Sequence, residues 1–248
     1  MNPSGRYRLI VGLQPVREAI RVHKSELHQV LVEARPTPRL NAVERYARDQ
    51  GVAHVERVAA QELDRQSCGV QHQGVIAYGP PLELLALENL IRDETLLAIA
   101  LDEIQDPQNF GAVVRSAVGI AGAAVLWGEN ASAPLSPAMF RASAGAIEQA
   151  RLCRVPSLRD ALKHLTEAGA QVIGLDARAP QPLHEMSLSG PLVLVIGSEH
   201  EGLGRGIRPA CQTLARLLSA GTLDSLNASV AAGIALHTVL VSRLITSS

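Results

Sequence analysis

Four short runs of almost purely apolar residues constrain this chain more than anything else in it: residues 96–101 (LLAIAL), 123–126 (AAVL), 171–175 (QVIGL) and 192–196 (LVLVI). A strand with one wet face alternates apolar and polar residues. These do not alternate, so each is expected to be buried on both sides, as in a parallel sheet sandwiched between helices. Helical spacing separates the runs, and a fifth, shorter strand is expected at 214–218. With aromatic residues at only 2%, the core must be aliphatic, and there are too few rings for an extended base-stacking platform.

The first 80 residues follow a different rhythm. Short strands are expected at 9–12, 29–33, 52–55 and 74–78. Helices are expected from Pro15, which suits a first helical turn, and over 40–49, where Leu40, Val43 and Ala47 recur at helical spacing before Gly51. Gly79-Pro80-Pro81 closes this stretch, because consecutive prolines continue neither sheet nor helix. The expected organisation is a small α/β domain over 1–80, a partly helical linker over 81–94 and a parallel-sheet α/β domain over 95–248.

Several classes are set aside. Gly202-Leu-Gly-Arg-Gly206 lies near a strand-to-helix turn, but it lacks the G-x-G-x-x-G spacing of a dinucleotide fold and no Walker lysine follows it. Cys68, Cys153 and Cys211 are odd in number, scattered and without a CxxC pair, which disfavours a disulfide framework or structural zinc; no metal is expected. No secretory h-region opens the chain. The apolar stretch 228–245 is interrupted by Ser229, Gly233, His237 and Arg243, so it reads as a buried helix and not a membrane span. A cytoplasmic protein is expected. The formal net charge is −1, yet residues 1–57 carry ten basic and six acidic side chains, with Arg outnumbering Lys. Guanidinium groups suit phosphate, so Arg6, Arg8 and Arg17 are candidate RNA contacts, although ordinary surface charge explains the same excess.

Three polar motifs interrupt the apolar second half: Asn109-Phe-Gly-Ala-Val-Val-Arg115, Gly197-Ser-Glu-His-Glu-Gly202 and Ser225-Leu-Asn227-Ala-Ser229. Each follows an expected strand, and open α/β sheets bind ligands beyond the carboxyl ends of their strands. Taken one at a time, Asn227 or Ser225 reads as a helix N-cap, Glu199 as a complement to a helix dipole and Arg115 as a snorkelling surface residue. His200, between two glutamates, reads as local variation.

In this order and spacing, however, the motifs closely resemble those of the SpoU (TrmH) family of RNA ribose 2′-O-methyltransferases within the SPOUT superfamily. The resemblance rests on Asn109, Gly111 and Arg115 behind Asp106-Pro107, on Gly197, Glu199 and Gly202, and on Ser225, Leu226, Asn227 and Ser229. Gly12 and His72-Gln73-Gly74 resemble the substrate-binding domain of the ribosomal branch, which methylates a guanosine of large-subunit ribosomal RNA. The resemblance implies a trefoil knot, S-adenosyl-L-methionine as cofactor, and a homodimer with active sites drawing on both subunits. The nearly all-round apolar 228–245 helix independently fits an added interface.

The resemblance further implies that Arg115 handles the ribose hydroxyl and RNA phosphate, that Asn109 fixes the Arg115 segment, and that Glu199 orients one or the other. Ser225 and Asn227 would bind the methionine end or the target ribose, and backbone groups of Gly197, Leu217 and Leu226 the adenine. Where relatives commonly carry Ile-Pro-Met, this chain has Leu217-Leu218-Ser219. The alternatives are the same reaction on transfer RNA, or a non-catalytic RNA-binding protein.

Overall fold

The structure, a computed structural model, describes residues 7–67, 69–129, 135–198, 201–219 and 226–246. The chain divides into two units, Met1–Glu83 with Leu135–Gln149 and Leu84–Pro134 with Ala150–Ser248.

The first unit is built on a four-stranded mixed sheet. Its elements are β1 (Arg8–Val11), α1 (Leu13–His23), β2 (Gln29–Glu33), α2 (Pro38–Asp49), β3 (Val55–Val58), α3 (Ala60–Gln66) and β4 (Val75–Gly79), with strand order β1-β4-β2-β3. Alternation splits the strand side chains between two faces. Ile10, Val30, Val32, Val75 and Ala77 meet the apolar stripes of α1 and α2, while Val11, Leu31, Ile76 and Tyr78 meet Leu63 of α3. The expected strand at 52–55 lies three residues later. Val52 still hydrogen-bonds back to Ala47 across the Gly51 turn, and parallel pairing of Val55 with Val30 sets where β3 begins. The His72-Gln73-Gly74 motif has a local role: the Gln73 side chain accepts the Leu13 N–H at 3.1 Å and so caps α1, whose first amides would otherwise go unpaired.

The second unit carries α4 (Leu87–Ile91), β5 (Leu97–Leu101), α5 (Pro107–Ser116) with a π-helical turn at Ala117–Ala121, and β6 (Ala124–Gly128). The chain then departs to form α6 (Pro137–Ala142) within the first unit. It returns as β7 (Leu152–Val155), α7 (Leu158–Glu167), β8 (Gln171–Leu175), β9 (Leu192–Ile196), β10 (Thr213–Ala215) and α8 (Ala228–Thr246). The six strands are all parallel in the order β10-β8-β9-β5-β6-β7, and central β5 and β9 are buried throughout, as their unbroken apolar runs require. Ala98, Ala100, Val193 and Val195 pack with Leu158, Leu162 and Leu165 of α7. Within the fold, Phe110 of α5 meets Trp127 of β6 edge-on at 5.3 Å.

Two features were not foreseen. The first is β7, whose Leu-Cys-Arg-Val sequence exposes Arg154 and so lacks the apolar signature of the central strands. The second is the loan of Leu135–Gln149 to the first unit, a segment expected to belong to a continuous 95–248 domain. It is secured by Glu148, whose fully buried side chain accepts from Arg8 Nη1 and Nη2 at 2.9 and 2.5 Å and faces His23 Nε2 at 2.9 Å. The Arg8 guanidinium also lies 4.9 Å from the Phe140 ring centre.

The helix expected over 228–245 is buried on one face only. Ala232, Ala235, Leu236 and Val239 are covered, whereas Val230, Ile234, Leu244 and Ile245 are exposed. Among the described residues α8 alone is long and apolar enough to cross a membrane, with mean hydropathy 1.7. In the fold it lies along α5, and Arg243 donates to the carbonyls of Leu188 and Gly190, pinning the last turns beneath the sheet.

Candidate active site

At the carboxyl ends of β8, β9 and β10 the chain leaves a cleft of about 790 Å³, a size that suits a nucleoside-containing ligand. Its apolar wall comes from Leu175, Ile196, Leu217, Leu226 and Ala231; its polar groups include Asp176, Ser198, Glu201 and Arg208. Gly197, Leu217 and Leu226, expected as the adenine pocket, therefore line one cavity. The strand expected over 214–218 ends at Ala215, because Arg216 turns away to exchange backbone bonds with Gln181 and Leu183. That exit is what frees Leu217 to face the cleft and leaves Leu218 exposed.

On one wall Gly197–Ser198 lies against Glu201–Gly202. Gly202 N–H donates to the Ser198 carbonyl at 3.0 Å, and Ser198 Oγ accepts the Glu201 N–H. A Cβ on Gly197 would lie 2.1 Å from the Gly202 carbonyl carbon and oxygen. Only a bare backbone allows that approach.

The first and third motifs meet directly. Asn227 Nδ2 donates to Asn109 Oδ1 at 3.1 Å, joining the residue after Leu226 to the first turn of α5. Asn227 is also the helix cap that its sequence context suggested, since its Oδ1 accepts from the Ser229 N–H and Oγ at 2.9 and 2.6 Å. Cap and site are thus the same side chain. The cap of α5 is Asp106, which accepts the Gln108 N–H at 3.0 Å.

Arg115 is exposed on the last turn of α5 and is not among the cleft residues. Six residues of helix put it roughly 9 Å along the axis from Asn109 and about 120° around it. Of the remaining expected site residues, Glu199, Ser225 and Arg6 lie outside the described residues. Arg17 is exposed on α1. Arg8 turns inward instead: its guanidinium is bound by Glu148 and the Pro80 carbonyl, so it presents no face to an RNA phosphate.

Sequence reading missed the ion pair that borders the cleft. Asp176, just beyond β8, accepts from Arg208 and from the Arg178 N–H. Burial raises its carboxyl, but these bonds outweigh that and hold it below the ordinary range. Its position at a strand's carboxyl end was the available signal.

A family model for the SpoU rRNA methylase family matches residues 96–237, and a second, for RNA 2′-O ribose methyltransferase substrate binding, matches 9–85. The chain belongs to the SpoU rRNA methylase family. Its activity is RNA ribose 2′-O-methyl transfer. An uncharacterized tRNA/rRNA methyltransferase of Mycolicibacterium vanbaalenii is 36% identical over 95% of this chain and 76% of its own length. A crystal structure of an RNA 2′-O ribose methyltransferase superposes with TM-score 0.80 at 28% identity, covering 97% of this chain and 90% of that one. The SpoU methyltransferase AviRb from Streptomyces viridochromogenes, crystallised with S-adenosylmethionine, has the same fold at TM-score 0.77 and 23% identity, with 96% and 91% of the two chains covered.

Family members use S-adenosylmethionine, and the cleft fits it: apolar side chains to cover a purine, with the Glu201 side chain among its polar lining. Gly197→Ala is expected to weaken S-adenosylmethionine binding by roughly ten- to a hundredfold, the scale of a forced backbone shift. Calorimetric titration of the folded variant checks this.

Proposed function

We propose that this protein methylates the ribose 2′-hydroxyl of a guanosine in large-subunit ribosomal RNA, acting in the cytoplasm as a homodimer with a knotted second unit. The observation that carries the reading is the Asn227–Asn109 bond beside the cleft, which ties two of the three family motifs to one ligand-sized cavity. S-adenosylmethionine, when bound there, supplies an activated methyl group, so the protein needs only to orient and to manage a proton.

A ribose hydroxyl is a weak nucleophile at neutral pH and must be aligned and relieved of its proton. Arg115 offers a planar guanidinium that carries donors and no acceptor. Its part is to hold the RNA phosphate and favour the ionised hydroxyl. Asn109, Asn227 and, from the same motifs, Glu199 and Ser225 orient the reacting groups around it. The separation of Arg115 from the cleft of its own chain supports a composite site, in which one copy's Arg115 serves the cleft of the other. The exposed side chains Val230, Ile234, Leu244 and Ile245 of α8 give the second copy an apolar surface to cover.

Ribosomal RNA is favoured as substrate because the family model that matches 96–237 describes rRNA methylases, and an RNA substrate-binding model spans 9–85, most of the first unit. Purified protein with labelled S-adenosylmethionine is expected to modify large-subunit ribosomal RNA fragments at a guanosine ribose and to leave transfer RNA unlabelled. Labelling of transfer RNA alone overturns the substrate. Removing residues 1–80 would uncover Phe140 and leave Glu148 without Arg8 and His23, so the substrate is tested on the full chain.

A further inference from the structure

A carboxylate that does not line the cleft fastens one of its walls. Asp102 follows the last residue of β5 and is only 6% exposed. Its N–H donates to the Ile196 carbonyl at 2.8 Å, so its backbone lies where β9 delivers Gly197. Its Oδ2 accepts the Gly204 N–H at 2.7 Å. The Gly204 carbonyl then starts a turn by accepting from the N–H groups of Ile207 and Arg208, and Arg208 reaches Asp176 at the end of β8. One residue thus bonds both to the last residue of β9 and to Gly204.

The chemistry of the position singles it out. Burial pushes the Asp102 carboxyl up, with the Gly204 bond opposing that rise and the charge of Glu103 adding to it. A carboxylate is a costly choice for a buried site that an apolar side chain could fill. What it offers is a directional acceptor for one backbone N–H. The approach is close: a Cβ on Gly204 would stand 3.1 Å from Oδ2. On the outer side, Gly174 of β8 lets the same segment pack down, since a Cβ there would lie 2.7 Å from Leu203 Cδ1 and 2.9 Å from Cys211 Sγ.

We infer that Asp102 is a positioning residue for the methyl donor: it holds Gly204, and with it the Glu201–Gly204 side of the cleft wall, against the end of β9 without touching the ligand. The inference rests on the cleft being the S-adenosylmethionine site. Releasing Gly204 lets the wall populate other shapes, and apparent affinity falls with the fraction that remains competent.

The test is calorimetric titration of S-adenosylmethionine into the full chain and its variants, with steady-state kinetics in parallel. Asp102→Ala is expected to raise Kd by roughly tenfold or more, the scale of a lost charge-assisted hydrogen bond. Its kinetic defect should fall on KM for S-adenosylmethionine more than on kcat. Asp102→Asn keeps an oxygen acceptor toward Gly204 and should restore most of the affinity. Gly204→Ala, which disturbs the same contact from the other side, should reproduce the alanine profile and serves if Asp102→Ala fails to fold. Wild-type affinity in Asp102→Ala or Gly204→Ala, or an Asp102→Asn variant as weak as the alanine, overturns the inference. If the wild-type protein itself does not bind, the reading of the cleft falls, a result distinct from an unaltered variant.

Discussion

Arg115→Ala is expected to lose methyl transfer by roughly 10²- to 10⁴-fold, the scale of a missing acid–base or charge-stabilising group, while folding normally and binding S-adenosylmethionine as before. The fold should tolerate the change because Arg115 sits on the exposed side of α5, whose buried side is made by Phe110, Val113 and Val114. Cofactor binding should survive because the cleft is lined without it. Arg115→Lys retains the charge but not the planar fork, and should recover only part of the rate. Single-turnover methylation alongside calorimetry separates these effects, and wild-type turnover in the alanine variant would remove Arg115 from the reaction. Mixing Arg115→Ala chains with chains defective at Gly197 probes the composite site. Activity regained in the mixture is expected only if Arg115 and the cleft come from different copies.

The largest stability effect is expected at Glu148. Glu148→Ala leaves the Arg8 guanidinium and His23 facing a void within the first unit, and removing one partner of a buried ion pair costs about 3–5 kcal/mol. Urea unfolding of the full chain measures it. Burial raises the Glu148 carboxyl, but the bonds from His23 and Arg8 outweigh burial and bring it below the ordinary glutamate range. The folded group therefore binds its proton less readily than the unfolded one. Its stabilisation is complete above the unfolded value of about 4.3 and is lost as pH falls through the lower folded value. The wild-type protein should lose this contribution in acid, and Glu148→Gln should flatten that part of the pH profile. An alanine variant as stable as wild type would show that the returning segment is held by apolar packing alone.

Much of the site was legible for a specific reason. Asn109 and Gly197 each follow a strand whose apolar run is unmistakable, Leu226 and Asn227 follow the shorter β10, and parallel strands deliver their carboxyl ends to one edge. The local readings were not wrong either, since Asn227 is both the cap of α8 and the partner of Asn109. Arg8 shows the limit. Its place in a basic stretch suggested RNA, but what decides its role is Glu148, 140 residues away, and sequence neighbours carry no record of such a partner. Asp102 was passed over likewise, because a single aspartate after a strand is ordinary until Gly204 is found against it.

By itself, then, the sequence determined the central strands, the parallel sheet and the family, because burial on both faces and motif spacing are written in consecutive residues. Only the tertiary structure decided that Leu135–Gln149 is lent to the first unit, that Arg8 is buried in an ion pair, that Leu217 leaves β10 to line the cleft and that Asp102 secures the cleft wall. Those outcomes depend on hydrogen bonds and packing between segments distant in the chain, where geometry and not local propensity selects the partner.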